Sequence, residues 1–367
     1  MAQGILHLPP ISKHNQKARK FFSTHYLWRF RYATVLIVCV FFYITLYYYA
    51  LYSPVILDNG FAGNVNNSLV DSKAGHNYMI IAHGCSPETD RCYSVVDQIV
   101  PENERKNEKA LEEVVERHMV VDGFEETSDT IVRIYSPQGF KFSESDSRMW
   151  TIDHRSLRAQ YIAALISAPF LVTALSLVET ENQNKSVLEI GLGGGSFDMF
   201  IHEFYPQVSI TAVELDPMVA KLANQWFGVK ENDRRRTIVD DGMDFIRQSQ
   251  KRGDSYDVVV IDACDVNMNV PCPVKEFRKP ENLMAMKSIL KENGALVFNL
   301  LTLEENVKEV NKQIVESICE PFSSCLRIAL KAEVNEVIIC MKYKVSDAGA
   351  QLSFYEQSFD TQGRIPQ

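Results

Sequence analysis

Between Tyr32 and Tyr52 the chain carries no charged residue, and before Ser53 it has no aspartate or glutamate at all. Its eight cysteines include no C-x-x-C pair, which argues against a zinc site. No glycine loop is closed by Lys-Ser or Lys-Thr, which excludes the phosphate loop of nucleotide hydrolases. No serine or cysteine stands in a recognisable nucleophilic triad. Negative charge is missing only at the start. Residues 1–52 hold six basic residues (Lys13, Lys17, Arg19, Lys20, Arg29, Arg31), so 32 basic and 47 acidic residues leave the rest at −15. An acidic globular part repels phosphates, and no nucleic-acid partner is expected.

The uncharged run YATVLIVCVFFYITLYYYALY is long enough to cross a bilayer, at about 1.5 Å per residue over a core of about 30 Å. Tyr47, Tyr48, Tyr49 and Tyr52 cluster at its far end, where amphipathic rings favour the interface. A signal peptide is the competing reading, but the run is too long and no small-residue cleavage site follows. The basic flank places the N-terminus in the cytosol and residues 53 onward in a lumen or outside the cell. Asn66 and Asn184 head glycosylation sequons. Beyond the span six cysteines fall into close pairs, Cys85/Cys92, Cys264/Cys272 and Cys319/Cys325, with Cys340 left over. Local disulfides and ordinary buried thiols both fit that spacing, and CSPETDRC is the best disulfide candidate.

Residues 53–77, rich in Asn, Gly and Ser, read as a stalk. Short apolar runs at Tyr78–Ala82, Cys92–Val100, His118–Val121, Thr130–Tyr135 and Met149–Ile152 predict a small antiparallel sheet. The charged stretch Pro101–Glu116 is a loop or a surface helix. A helix is expected over Arg155–Val178, and strands and helices then alternate. Helices are expected at Pro217–Phe227, Met243–Gln250, Lys279–Lys291 and Glu304–Ile318. Strands are expected at Thr237–Val239, Tyr256–Ile261 and Ala295–Leu300. Ser324–Leu330 and Glu336–Lys342, with no long helix between them, predict a closing hairpin. The pattern is a doubly wound α/β sheet with a closing antiparallel strand. The expected boundaries are a basic tail (1–31), a span (32–52), the stalk (53–77), a small β subdomain (78–154), the α/β domain (155–345) and a tail (346–367).

The centre of that domain is SVLEIGLGGGSFDMFIHEFYPQVSITAVELD, residues 186–216: strand, glycine turn, helix, strand, with Glu214 at the second strand's tip. Glycines let backbone approach a nucleoside, and a tip carboxylate accepts from ribose hydroxyls. Glu189 interrupts the first strand beside the turn. Asp241 follows the third strand and Asp262 the fourth, with Asp265 three residues on. Ligands bind beyond the carboxyl ends of such strands, and four carboxylates there suggest a polar ligand. Capping of the following helices is the plain alternative for any one of them.

VLEIGLGGG, AVELD, DDG and YDVVVIDACD, in this order, resemble the S-adenosylmethionine motifs of class I methyltransferases and spermidine/spermine synthases. AVELDPMVAKLANQWFGV, Cys272-Pro273 and EVNEVIICM are similar to the C-terminal domain of the methyltransferase-like protein 13 family, which methylates the N-terminus of translation elongation factor 1-alpha. The resemblance covers about residues 135–342 and implies a Rossmann-like methyltransferase sheet, with S-adenosylmethionine as cofactor. It implies that Gly191, Gly193 and Gly195 approach the methionine part with Glu189 nearby. By the same resemblance Glu214 holds the ribose, and Asp241 takes the adenine amino group, with Gly242 allowing close approach. Asp262, also counted with the cofactor site, would handle the acceptor amine with help from Asp265. Asp265 is followed by Val266 where spermidine synthases have proline, and the loop is shorter than in the closer family, so acceptor identity does not carry over.

Three functions stay open. The first is a membrane-anchored methyltransferase with a protein amine as acceptor. The second is a polyamine aminopropyltransferase. The third is a non-catalytic lumenal protein that keeps the fold, which a Cys264–Cys272 bridge pinning the acceptor loop would favour. A homodimer is compatible with all three. His154 reads either as facing the acceptor or, more simply, as a surface residue ahead of a helix, and Trp226-Phe227 reads as core rather than as a stacking platform.

Overall fold

The structure is a computed structural model that describes residues 78–100, 113–124, 128–137, 140–265, 268–331 and 333–345. The candidate span Tyr32–Tyr52, the stalk and the C-terminal tail lie outside the described residues. Among the described residues no helix is long and apolar enough to cross a membrane.

The first five strands form an antiparallel meander in the order β1(Tyr78–Cys85), β2(Cys92–Ile99), β3(Val115–Val121), β4(Ser128–Tyr135) and β5(Thr151–Asp153). The expected runs are all there, but β3 starts at Val115 rather than His118. Its charged residues hid it. Glu116, Arg117 and His118 are buried because each has a partner, as buried charge requires. The Arg117 guanidinium donates to both Asp97 oxygens at 2.7 and 2.8 Å, and to the carbonyls of Trp226 and Ser147. Glu116 pairs with His118 and Arg158.

The second sheet has seven strands: β6(Ser186–Ile190), β7(Ser209–Glu214), β8(Arg235–Val239), β9(Tyr256–Ile261), β10(Leu290–Leu300), β11(Ser324–Ala329) and β12(Glu336–Met341). Their order is β11-β12-β10-β9-β6-β7-β8. All run parallel except β12, which is antiparallel to β10 and β11. The closing hairpin is therefore present, with its second strand inserted between the first and the rest of the sheet. Six helices connect these strands: α1(Gln160–Leu171), α2(Ser196–Phe204), α3(Pro217–Trp226), α4(Gly242–Arg252), α5(Pro280–Ser288) and α6(Val307–Cys319).

Period-two alternation explains why the sheet is covered on both faces. In β9, Val259 and Ile261 pack with Leu188, Ile190, Met243, Leu283 and Met286 on one side. Val258 and Val260 pack with Val187, Leu165, Phe197 and Ile201 on the other. Each such side chain, fully buried, contributes about 1.5–3 kcal/mol. Helix α1 starts later than its apolar pattern suggests, where the Glu333 carboxylate accepts from the Gln160 and Tyr161 amides, and it ends at Leu171, just before Thr173 takes a positive φ of 57°. Helix α5 ends at Ser288, ahead of its expected end at Lys291, since Leu290 already pairs with Tyr256 in the sheet. The meander packs on α3: Tyr93, Val115, Met119 and Val132 cluster with Val219, Leu222 and the fully buried Phe227. That places Trp226-Phe227 in the core, as expected.

Three disulfides are present among the described residues: Cys85–Cys92, Cys264–Cys272 and Cys325–Cys340. The first two match the expected pairs. The third corrects the Cys319/Cys325 pairing. Cys325 and Cys340 face each other in the β11–β12 register, whereas Cys319 ends α6 as a thiol 4.0 Å from the Cys340 sulfur.

Candidate active site

The carboxyl ends of β6, β7, β8 and β9 meet beside the glycine turn, Gly191–Gly195. Gly191 has a positive φ of 92°, and a Cβ there would lie 2.7 Å from the Asp262 carbonyl oxygen. Only glycine allows the turn after β6 and the chain after β9 to come this close. Gly193 and Gly194 lie against Thr130 of β4, whose hydroxyl accepts from the Gly194 amide at 2.7 Å. Gly195 caps α2 against Val229, and Gly242 lets α4 begin against Ile190 and Phe277.

Glu189 is 1% exposed, and its Oε2 has no hydrogen-bond partner. Burial drives its pKa well above the usual carboxylate value, and the nearby charges of Asp198 and Asp262 add to this. Asp198, on the first turn of α2, is buried against Arg235, whose Nε donates at 2.7 Å.

Glu214 is also buried and faces the turn. Its two oxygens accept from the Leu192 and Asp216 amides, each at 2.9 Å. Burial raises its pKa, and the amides of Asp216, Leu192 and Gly193 partly oppose that. A carboxylate has about four lone-pair positions, so holding the turn leaves Glu214 capacity for a ligand hydroxyl.

Asp241 is exposed and caps α4, accepting from the Met243 and Asp244 amides at 2.8 and 2.9 Å. The capping reading therefore holds for Asp241; Asp216, which was not among the four, caps α3 in the same way by accepting from the Met218 amide. It does not describe Glu189, Glu214 or Asp262. Leu215 and Val239, at the ends of adjacent strands, stay 59% and 51% exposed. They leave an apolar strip beside Asp241.

Asp262 follows β9, and its Oδ1 accepts from the Asn299 amide at 2.8 Å. The Asn299 oxygen in turn accepts from the Asn335 amide at 2.9 Å. Asp265 pairs with Arg91, whose Nη2 donates at 3.0 Å. Arg91 comes from the β1–β2 turn, whose Thr89 hydroxyl donates to Asp216 at 2.6 Å beside that of Tyr93 from β2, at 2.8 Å. Burial pushes the Asp216 pKa up, but the Thr89, Ser86 and Tyr93 hydroxyls outweigh it and leave the group below its ordinary value. The same contact, after burial, drives the Tyr93 pKa upward.

The structure thus gathers Glu189, Gly191, Gly193, Gly195, Glu214 and Asp262 around one turn. Asp241 and Gly242 lie on the adjoining helix start, and Asp265 lies beyond Asp262. His154 is not a surface residue: it lines a cavity with Thr130 and Ser196, and burial lowers its pKa. Sequence reasoning missed Thr130, Arg91, Asn299 and Asn335. Asn299 carried a usable signal, since it interrupts the apolar run ALVFNL as Glu189 interrupts VLEIG. Thr130 and Arg91 carried none, because their contacts span 64 and 174 residues.

Residues 172–347 match the profile of the spermine/spermidine synthase domain. Among curated proteins, the human eEF1A lysine and N-terminal methyltransferase is 32% identical over 160 residues, 42% of this chain and 22% of that protein. The polyamine aminopropyltransferase of Vibrio vulnificus is 29% identical over 131 residues, 36% of this chain and 42% of that protein. The solved structure of human methyltransferase-like protein 13 in complex with SAH is 28% identical, covering 57% of this chain and 94% of that one, with a TM-score of 0.47. The chain spans less than a third of the length of the first curated relatives it matches. Residues 172–347 are a spermidine synthase-like domain, built on the class I S-adenosylmethionine methyltransferase fold.

Proposed function

We propose that this chain is a membrane-anchored S-adenosylmethionine-dependent methyltransferase acting on a protein amine. The observation that carries the reading is the excess of carboxylates at the strand ends. Glu189, Glu214 and Asp262 stand there with Asp198, Asp216 and Asp265 close by, and the arginines set against them are Arg235, on Asp198, and Arg91, on Asp265. Such a site favours a cationic ligand, a sulfonium with its ammonium, over the pyrophosphate of a dinucleotide. Glu214 suits the ribose hydroxyls, and Leu215, Val239 and Asp241 suit a flat amino-bearing base. Gly191, Gly193 and Gly195, with Glu189, suit the methionine part.

When bound, the cofactor supplies an electrophilic methyl carbon on sulfur. Asp262 would hold the acceptor amine and take the proton it gives up. The relatives named as eEF1A methyltransferases support a protein acceptor. The uncharged run Tyr32–Tyr52, the three disulfides and the exposed Asn184 sequon support a lumenal or extracellular domain. There the acceptor is a protein other than a cytosolic factor.

The spermidine synthase profile favours aminopropyl transfer to a free diamine as a second reading. Against it, Arg91 already neutralises Asp265, the carboxylate next in line for a second ammonium. The Cys264–Cys272 bridge pins the acceptor loop, which the non-catalytic reading foresaw. Asp262, however, precedes that loop and is held from β10. Full-length protein in detergent, given methyl-labelled S-adenosylmethionine and secretory-pathway extract, is expected to label protein. With decarboxylated cofactor and putrescine it is expected to make no spermidine. Spermidine formation would establish the second reading, and no label with no cofactor uptake would leave the non-catalytic one.

A further inference from the structure

The carboxylate assigned to the acceptor amine is held from behind by two amides in series. Asn299, 2% exposed on β10, donates from Nδ2 to Asp262 at 2.8 Å. Its Oδ1 is taken by the Nδ2 of Asn335 at 2.9 Å. A primary amide can present either end to a neighbour, and the network around it decides which. Here one end faces a donor and the other an acceptor, so the relay has a direction. Asn335 is itself anchored in the β11–β12 connection, where Glu333 caps α1 and Glu336 accepts from Asn311 and Arg327. Charged groups close to Asp262 among the described residues include Glu189 from β6, and Asp265 with its partner Arg91 from the two neighbouring loops.

We propose that Asn335 and Asn299 are positioning residues: Asn335 fixes the sense of the Asn299 amide, which then holds the Asp262 carboxylate in its orientation for the acceptor amine. The role assigned to Asp262 rests on the proposed methyltransferase reading, but the direction of the relay does not. Reversing the relay is the consequence to exploit. In Asn335→Asp the last group can only accept, so the Asn299 amide turns its oxygen toward Asp262 and two acceptors face each other. Changing Asp262→Asn as well supplies a donor at the far end, and all three groups are satisfied in the opposite sense.

The test is a double-mutant cycle by thermal denaturation of the full chain in detergent, with S-adenosylmethionine binding measured on each protein. Asn335→Asp alone is expected to lower Tm by about 5 °C. Asn335→Ser, which keeps a donor, should recover most of that. In the Asp262→Asn background, Asn335→Asp should cost nothing or raise Tm. Purely additive effects would overturn the relay, because a role in the turn alone predicts the same loss in both backgrounds. If the wild type takes up no cofactor while the cycle shows coupling, the relay stands and the methyltransferase reading falls. If cofactor binds and the effects add, the reverse holds. Where methyl transfer is measurable, Asn335→Asp should lower kcat at unchanged cofactor KM and shift the acidic limb of the pH profile upward.

Discussion

Glu189 combines near-complete burial with three neighbouring carboxylates, Asp198, Asp262 and Glu214. Its folded-state pKa is raised, so the folded chain binds that proton more tightly than the unfolded chain does. That preference stabilises the fold at pH values below the unfolded pKa, about 4.3, and is lost as pH rises through the raised value. Glutamine mimics the protonated acid at every pH. The Tm advantage of Glu189→Gln over wild type should therefore grow between pH 5 and pH 8. A difference that stays constant would mean that Glu189 titrates normally. The sequence already marked this residue, because a lone acid inside VLEIG can only be accommodated with a partner or a proton. It could not show that Asp198 and Arg235 complete the cluster, since Asp198 reads as an ordinary polar position of α2.

At the scale of elements, β9 and the second half of β10 were legible as nearly continuous apolar runs, and the glycine turn as the break between β6 and α2. The start of β3 was not. Its Glu-Arg-His triplet looks solvent-facing until Asp97 and Arg158 are brought to it by neighbours far along the chain. The β1–β2 turn was read as a disulfide candidate, yet its place over Asp216 and Asp265 depends on the meander docking against α3. Closing seven residues of separation, the Cys85–Cys92 bridge should contribute about 2–3 kcal/mol through loop closure. Cys85→Ser with Cys92→Ser should lower the denaturant midpoint accordingly. It should also make the Ser86–Arg91 segment more sensitive to proteolysis, with the α/β sheet intact. Unchanged proteolysis of that segment would show that the contacts of Thr89, Tyr93 and Arg91 hold the turn without the bridge.

For the whole molecule, the proposed membrane anchoring rests on the charge asymmetry, the uncharged run and the three disulfides, and it puts the spermidine synthase-like domain across the membrane from the basic tail. Membranes from cells expressing the chain should protect that domain from added protease until detergent is present. Asn184→Gln should remove a glycan detected by deglycosylation. Cleavage of intact membranes with no glycan would put the domain in the cytosol, where the disulfides would not persist.

The proposed methyltransferase function depends on the carboxylates at the strand ends receiving a sulfonium nucleoside. Isothermal titration of S-adenosylmethionine into the full-length protein in detergent measures that directly. The arrangement of Glu189, Glu214, Asp241 and Asp262 predicts binding in the micromolar range, weakened about tenfold or more in Glu214→Ala, which loses ribose contacts and the support of the glycine turn. No heat of binding from folded wild-type protein, or equal affinity in Glu214→Ala, would contradict it.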